Sequence, residues 1–297
     1  VVTALKSQPL VASRGLPVKR AFRGDLLLVF LMRFSTYSLV AIVLLIVLDI
    51  LIKGLPHVNL EFLTSLPQKA GAKGGILPAI MGTTLLVSVA IAAAQPLSLA
   101  TAVYLSEYAG ENRLSRLIRI ALLTLSSVPS IVFGLFGLAL FVIQLGFGAS
   151  IISGGLTLAL MILPTMTVAA EEAVKTVPHS LREASRSLGA TKARTIWSVV
   201  LPRALPGIFT GTLLAIGRAA GETAPILLTA AAFFVPTLPE SPFDEVMALP
   251  YHLYVLSTQH PDAAAIAPMQ YATASVLLLL VFAFSAIAFV IRNKIRR

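Results

Sequence analysis

Cysteine is absent from all 297 residues, which excludes a disulfide framework and any thiolate metal site. Charge is scarce too. Asp, Glu, Lys and Arg together make up 12% of the chain, where a soluble domain carries about 25%, so composition alone assigns the chain to the membrane. Acidic residues number 13 against 23 Lys and Arg, but no basic run is interleaved with base-stacking aromatics, so nucleic acid is not an expected partner. In a membrane protein that excess of cations sets orientation instead. The stretch G-x-x-x-x-G-K-[ST] that cradles nucleotide phosphates is missing, so the chain should not hydrolyse ATP. His57, His179, His252 and His260 have no metal-ligand spacing and fall in expected loops, and no Ser/His/Asp order or carboxylate pair suggests hydrolysis. No catalytic residue, metal or cofactor is expected.

What the chain does have is a series of long apolar runs. Residues 1–33 are basic, with Lys6, Arg14, Lys19, Arg20, Arg23 and Arg33 against Asp25, and no small-residue cleavage site follows the next apolar run, so a removable signal peptide is not expected. A crossing helix needs about 20 residues, and six stretches qualify. They are 34–52; 76 to about 105, interrupted by Pro96; 120–145, broken by Pro129; 151–170; about 206–235; and 271–291. Residues 56–75 read as a loop, and 236–268 as a polar, acidic segment without Lys or Arg. Arg113, Arg116 and Arg119, spaced by three, fit a helix face at headgroup level. With the N-terminus inside, the inner segments hold six Lys or Arg before the first span, three in 106–119, six in 171–205 and four after the last span. The outer segments hold only Lys53, Lys69 and Lys73. That asymmetry is the positive-inside pattern. It implies an all-α integral membrane protein with six transmembrane helices and both termini cytoplasmic, divided into a basic segment 1–33 and a six-span transmembrane domain 34–297.

The rest is organised around residues 178–225. Pro178 should stop the fourth helix, and Ser180 with Glu183 forms a capping-box spacing for a short new one. Leu181, Ala184, Ser185 and Leu188 would line its small apolar face. Gly189 can supply a left-handed stop, and Thr191 can cap a second short helix that ends at Leu201-Pro202. The result is a knob at the membrane surface; an ordinary amphipathic connector is the alternative. Further on, Gly207 and Gly211, like Gly217 and Gly221, are four apart and form small-residue faces, serving either a subunit contact or an intramolecular one. Arg218 and Glu222 share a helix face and should turn away from lipid, because a charge at bilayer depth costs about 2.5–3.5 kcal/mol. Glu171 and Glu172 read as interfacial charges near Lys175.

Glu183-Ala184-Ser185, three residues, Gly189, nine residues and Val199-Val200-Leu201-Pro202 resemble the EAA loop of ABC importer permeases. Ser185 stands for the second Ala of that pattern and Val199 for its Ile. The segments AVYLSEYAG at 102–110 and GRAAGETAP at 217–225 are similar to the phosphate-specific branch, and more to its PstA type than to its PstC type. The resemblance implies a type I ABC importer permease fold over a core of residues 76–291, with residues 178–202 as a cytoplasmic coupling loop. It implies that Glu183, Ala184, Ser185, Gly189, Val199, Leu201 and Pro202 form the ATPase contact. It implies separate ABC ATPase subunits, a second homologous permease of the PstC type, an extracytoplasmic phosphate-binding protein, and a bacterial or archaeal-type cytoplasmic membrane whose lipid surrounds the chain. Arg218 and Glu222 then become the expected substrate pathway, with a purely structural ion pair as the alternative. A permease for phosphonate or molybdate, and an ATP-independent secondary transporter, remain open at this point.

Overall fold

The computed structural model describes residues 23–68, 73–110, 112–232, 234–235, 237–259 and 266–295. Lys6, Arg14, Lys19 and Arg20 of the basic N-terminal segment lie outside them, as do Lys69, His260, Asp262, Arg296 and Arg297. The described residues fall into two units, one up to residue 49 and one from residue 50. In the first, helix α1 (Arg23–Gly54) begins well before the expected residue 34 and exposes apolar side chains on every side. A helix apolar all round has no polar face to turn to water and suits a lipid surround.

In the second unit, the loop expected at 56–75 is more ordered than its glycines and prolines suggest. Asn59 caps α2 (Leu60–Thr64) by accepting from the Phe62 amide at 2.7 Å. Strands β1 (Pro67–Gln68) and β2 (Lys73–Gly74) then pair antiparallel. Helix α3 (Leu77–Val103) runs through Pro96 and widens into a π turn at Tyr104–Tyr108. The expected third span is instead two helices, α4 (Arg113–Ser127) and α5 (Ser130–Gly137), the latter extended by a π turn to Gln144 and bent by 104° from α4. The bend sits at Val128, which is extended (ψ 132°), because the ring of Pro129 disfavours a helical residue before it.

Helix α6 (Ile151–Lys175) is the central post, packed on α3 on one side and on α9 (Leu201–Gly221) on another. Lipid tails are as apolar as these helices, so close van der Waals packing must hold them together. A Cβ on Gly155 would lie 2.6 Å from that of Val89, so α3 and α6 approach as closely as they do only because no side chain stands there. Helix α12 (Ala267–Ile295) lies against α9 and α11 (Leu249–Thr258). Among the described residues, five helices are long and apolar enough to cross a membrane, and the bent pair adds a sixth if taken as one broken span.

Two expectations about spans fail. The fifth helix stops at Gly221 rather than near 235, and the chain continues through the single turn α10 (Ala224–Leu227). That turn feeds the N-terminal end of α6, where Ser150, Ile151 and Ile152 donate their amides to the carbonyls of Thr229, Asp244 and Pro242 at 2.9–3.1 Å. These are donors that a helix start leaves without intrahelical partners. The segment expected to be a polar loop contains α11, whose Leu249, His252, Val255 and Leu256 are all buried. Residues 242–244 thus sit at one end of α6 and the 178–202 loop follows from the other, about 37 Å away for 25 helical residues.

Candidate functional site

The loop after α6 is built from local signals of different quality. Helix α7 (His179–Ser187) starts after an extended Pro178, whose carbonyl accepts the Leu181 amide, and no side chain caps it. The capping box expected from Ser180 and Glu183 does not form, because the proline already ends the previous helix and places Ser180 inside the first turn. Glu183 is left exposed. The end of α7 matches its sequence signal closely. Gly189 has φ +82°, Ala190 N–H donates to Ser185 at 3.2 Å and Gly189 N–H donates to Arg186 at 2.9 Å. That pair of bonds is the Schellman arrangement. Thr191 then caps α8 (Lys192–Thr195), accepting from the Arg194 amide at 3.3 Å.

The second short helix does not end at Leu201-Pro202. It opens into a π turn at Ile196–Val200 and passes directly into α9. Pro202 offers no N–H, and the wider turn lies just upstream of that missing donor. The second half of the knob and the fifth helix are therefore one continuous rod, Lys192–Gly221. Ser185 and Thr195 join α7 to α8 through a 2.9 Å hydroxyl pair, a contact that an alanine at 185 could not make. The expected apolar face is split. Leu181 packs beside Val174, Val177, Ile196 and Val200, whereas Ala184 points outward and Leu188, at the tip, is 90% exposed. Of the remaining loop residues, Leu201 is buried, Val199 half-buried and Pro202 exposed.

Arg182 is one of the six cations counted in the inner segment 171–205, yet its side chain is buried. Its Nε and Nη2 donate to Glu107 Oε1 at 2.9 and 2.8 Å, Nη2 also donates to the Val174 carbonyl at 2.9 Å, and Nη1 donates to the Val177 carbonyl. The two side chains are 9% and 7% exposed. Nearby, Glu171 is buried, paired with Arg119 and, at 2.8 Å, with Lys175, the cation expected beside it; Glu172 remains exposed. An acid in so apolar a stretch as 102–110 was the only sequence sign that Glu107 had a partner.

Arg218 and Glu222 were expected deep within a span. They stand at its end, Arg218 in the last turn of α9 and Glu222 as its C-terminal cap. Arg218 Nε is 3.7 Å from Glu222 Oε1, and Nη1 reaches Thr165 Oγ1 at 3.5 Å. The helix dipole favours a cation there and disfavours an anion. Arg218 borders an open groove of about 710 Å³ between α6, α9 and α12, lined by Ala169, Thr210, Leu214, Gly217 and Ser285. Gly207 and Gly211 turn to Ala173 and Ala169 of α6, so that glycine pair serves an intramolecular contact. Gly217 and Gly221 are open, with nothing near Gly221 and only Val281 at 3.9 Å from a Cβ on Gly217.

The histidines are scattered. His179 is exposed, His57 Nδ1 lies 3.1 Å from the Lys53 carbonyl, and His252 is buried in the helix α11 rather than in the expected loop. Burial pushes the His252 imidazole down to about 4. Among the described residues no three His, Cys, Asp or Glu side chains come close enough to hold a metal ion.

Residues 96–297 match the family described as "Binding-protein-dependent transport system inner membrane component". The probable ABC transporter permease protein YqgI of Bacillus subtilis is 36% identical over 231 residues, covering 73% of this chain and 79% of that protein. The probable phosphate transport system permease protein PstA of Methanocaldococcus jannaschii is 33% identical, covering 90% and 94%. Phosphate transport system permease protein PstA 1 of Mycobacterium tuberculosis is 46% identical, covering 52% of this chain and about half, 51%, of its own length. The fold is shared with a chain of a bacterial ABC transporter involved in the import of alginate (TM-score 0.63, 14% identity, 93% and 97% covered). It is also shared with a chain of the MetNI methionine ABC transporter (TM-score 0.58, 16% identity, 75% and 98% covered). This ancestry sets aside the ATP-independent secondary transporter: the chain belongs to the binding-protein-dependent transport system inner membrane components, as a PstA-like ABC permease with the type I importer fold.

Proposed function

We propose that the chain is a transmembrane subunit that carries inorganic phosphate through the cytoplasmic membrane, driven by separate ATPase subunits docked on the knob at 178–202. In this reading the knob is cytoplasmic and residues 237–248 are extracytoplasmic. Exposed Glu183, Ala184 and Leu188 meet the ATPase; Ser185 and Gly189 hold their geometry, and Val199, Leu201 and Pro202 join them to α9. A second, PstC-like permease closes the open side of the groove, and an extracytoplasmic binding protein delivers the anion.

The observation that carries the reading is Arg218, which lines the large groove. An anion crossing hydrocarbon needs a cation, and a guanidinium offers a planar fork of donors suited to phosphate oxygens. Glu222 and Thr165 hold that fork only at 3.5–3.7 Å, a grip loose enough to be exchanged for substrate. Glu222 can also accept a hydrogen bond from a protonated phosphate oxygen, which sulfate lacks. A structural pair and a pathway pair separate under mutation. Arg218→Gln with Glu222→Gln removes both charges, so a structural pair predicts restored assembly and transport. The pathway reading expects the double variant to assemble and still carry no radiolabelled phosphate. Uptake near the wild-type rate would overturn it, and uptake of phosphonate or molybdate in preference to phosphate by the wild type would favour another oxyanion.

A further inference from the structure

We propose that Arg182 and Glu107 form a positioning pair that makes the coupling loop move as one body with the ends of α3 and α6, and so ties transport to ATP hydrolysis. The proposal rests on the coupling reading of 178–202 and adds residues outside the loop motif.

The geometry is a three-sided clamp. Arg182, on the buried face of α7, places Nε and Nη2 on one Glu107 oxygen, while Nη2 also donates to the Val174 carbonyl and Nη1 to the Val177 carbonyl, where α6 runs out. Val174 lies in the last turn of α6 and Val177 two residues beyond it, so the guanidinium closes the end of α6 as it binds α3. Glu107 sits in the π turn at the end of α3, and that turn is held from its other side by Arg119 of α4, which donates to the Leu105 carbonyl at 3.3 Å and pairs with Glu171 of α6. One loop side chain is thus wired to three membrane helices. The far limb of the bent α4–α5 pair packs through Gly134 on Pro225, where a Cβ would lie 3.0 Å from the proline Cα. Pro225 is three residues beyond Glu222.

A surface loop needs no buried ion pair to stay folded, since well-packed apolar residues would serve as well or better. What a buried, doubly hydrogen-bonded guanidinium adds is direction. Four donors in one plane accept only one orientation of α7 against α3 and α6, so a displacement of the loop cannot be absorbed by rotation and must move the helix ends.

The test uses the complete transporter reconstituted in vesicles, with ATP hydrolysis and phosphate uptake measured on the same sample. Glu107→Gln keeps size and an acceptor but removes the charge, and Arg182→Lys keeps the charge but cannot reach Glu107 and both carbonyls together. Both should assemble and hydrolyse ATP. With one charge-assisted hydrogen bond lost, the ATP consumed per phosphate imported should rise about tenfold. Unchanged stoichiometry in both variants, equal loss of hydrolysis and uptake, or failure of both to assemble would each overturn the proposal by leaving the pair a structural role only. If the underlying coupling reading were wrong, the wild-type complex itself would show no phosphate-stimulated hydrolysis, a different result from any of these.

Discussion

Replacing Gly189 tests the coupling loop without disturbing a packing contact. A Cβ built at Gly189 meets nothing within 4 Å, yet its φ is +82°. A substitution there acts on the backbone alone. An L-residue in the left-handed region costs about 1–2 kcal/mol, and more for a β-branched side chain, for which positive φ is a genuine outlier. Asparagine tolerates the region better. The turn is exposed and closed by two backbone bonds, so most of that cost should appear as lost occupancy of the native loop. Because apparent affinity scales with the competent fraction, Gly189→Ala should weaken ATPase binding about tenfold, the equivalent of about 1.4 kcal/mol. Gly189→Val should weaken it further, abolishing uptake, while Gly189→Asn stays close to wild type. The assay is titration of the ATPase subunit onto detergent-solubilised permease, alongside phosphate uptake and a check of membrane insertion. Wild-type binding and uptake in Gly189→Val would refute the reasoning. So would an asparagine variant as impaired as the valine one, since that would point to something other than backbone conformation.

Single cysteines at Ser187 and Ser241 of this cysteine-free chain should react with an impermeant thiol reagent from opposite sides of the membrane, because the two positions lie beyond opposite ends of α6; same-side labelling would contradict the arrangement. Gly155→Leu should lower the unfolding midpoint in detergent, since its Cβ would fall 2.6 Å from that of Val89 and overpacking costs about 1–3 kcal/mol; an unchanged midpoint would show that α3 and α6 can separate freely. His252, outside the crossing helices, is held neutral by burial, with its pKa pushed from 6.5 down to about 4. Its folded value is depressed, so the unfolded chain takes up the proton first. Stability is full above about pH 6.5 and falls by about 2 kcal/mol on acidification to pH 5, a slope that His252→Leu should remove from thermal unfolding measured at both pH values. A slope that persists in His252→Leu would assign the acid sensitivity to other groups.

Membrane class, the broad order of spans, the knob and its two sharpest local features were legible in the amino-acid sequence. Each depends on neighbours in the chain: apolar length, a glycine at the left-handed stop, and Thr191 three residues before the amide that it caps. Where the expectations failed locally, at Ser180 and at Pro202, two neighbouring signals competed. Pro178 pre-empted the serine as helix start, and a π turn let α8 run on past Pro202. The remaining decisions belonged to tertiary structure. Arg182 and Glu107 are 75 residues apart, Arg119 and Glu171 are 52, and nothing in either local sequence distinguishes a cation clamped between helix ends from one in water. The early stop of α9 at Gly221, the burial of α11 and its His252, and the assignment of Gly207 and Gly211 to α6 were likewise set by which surfaces meet. Hydropathy records how apolar a segment is; only packing decides what each of its faces touches.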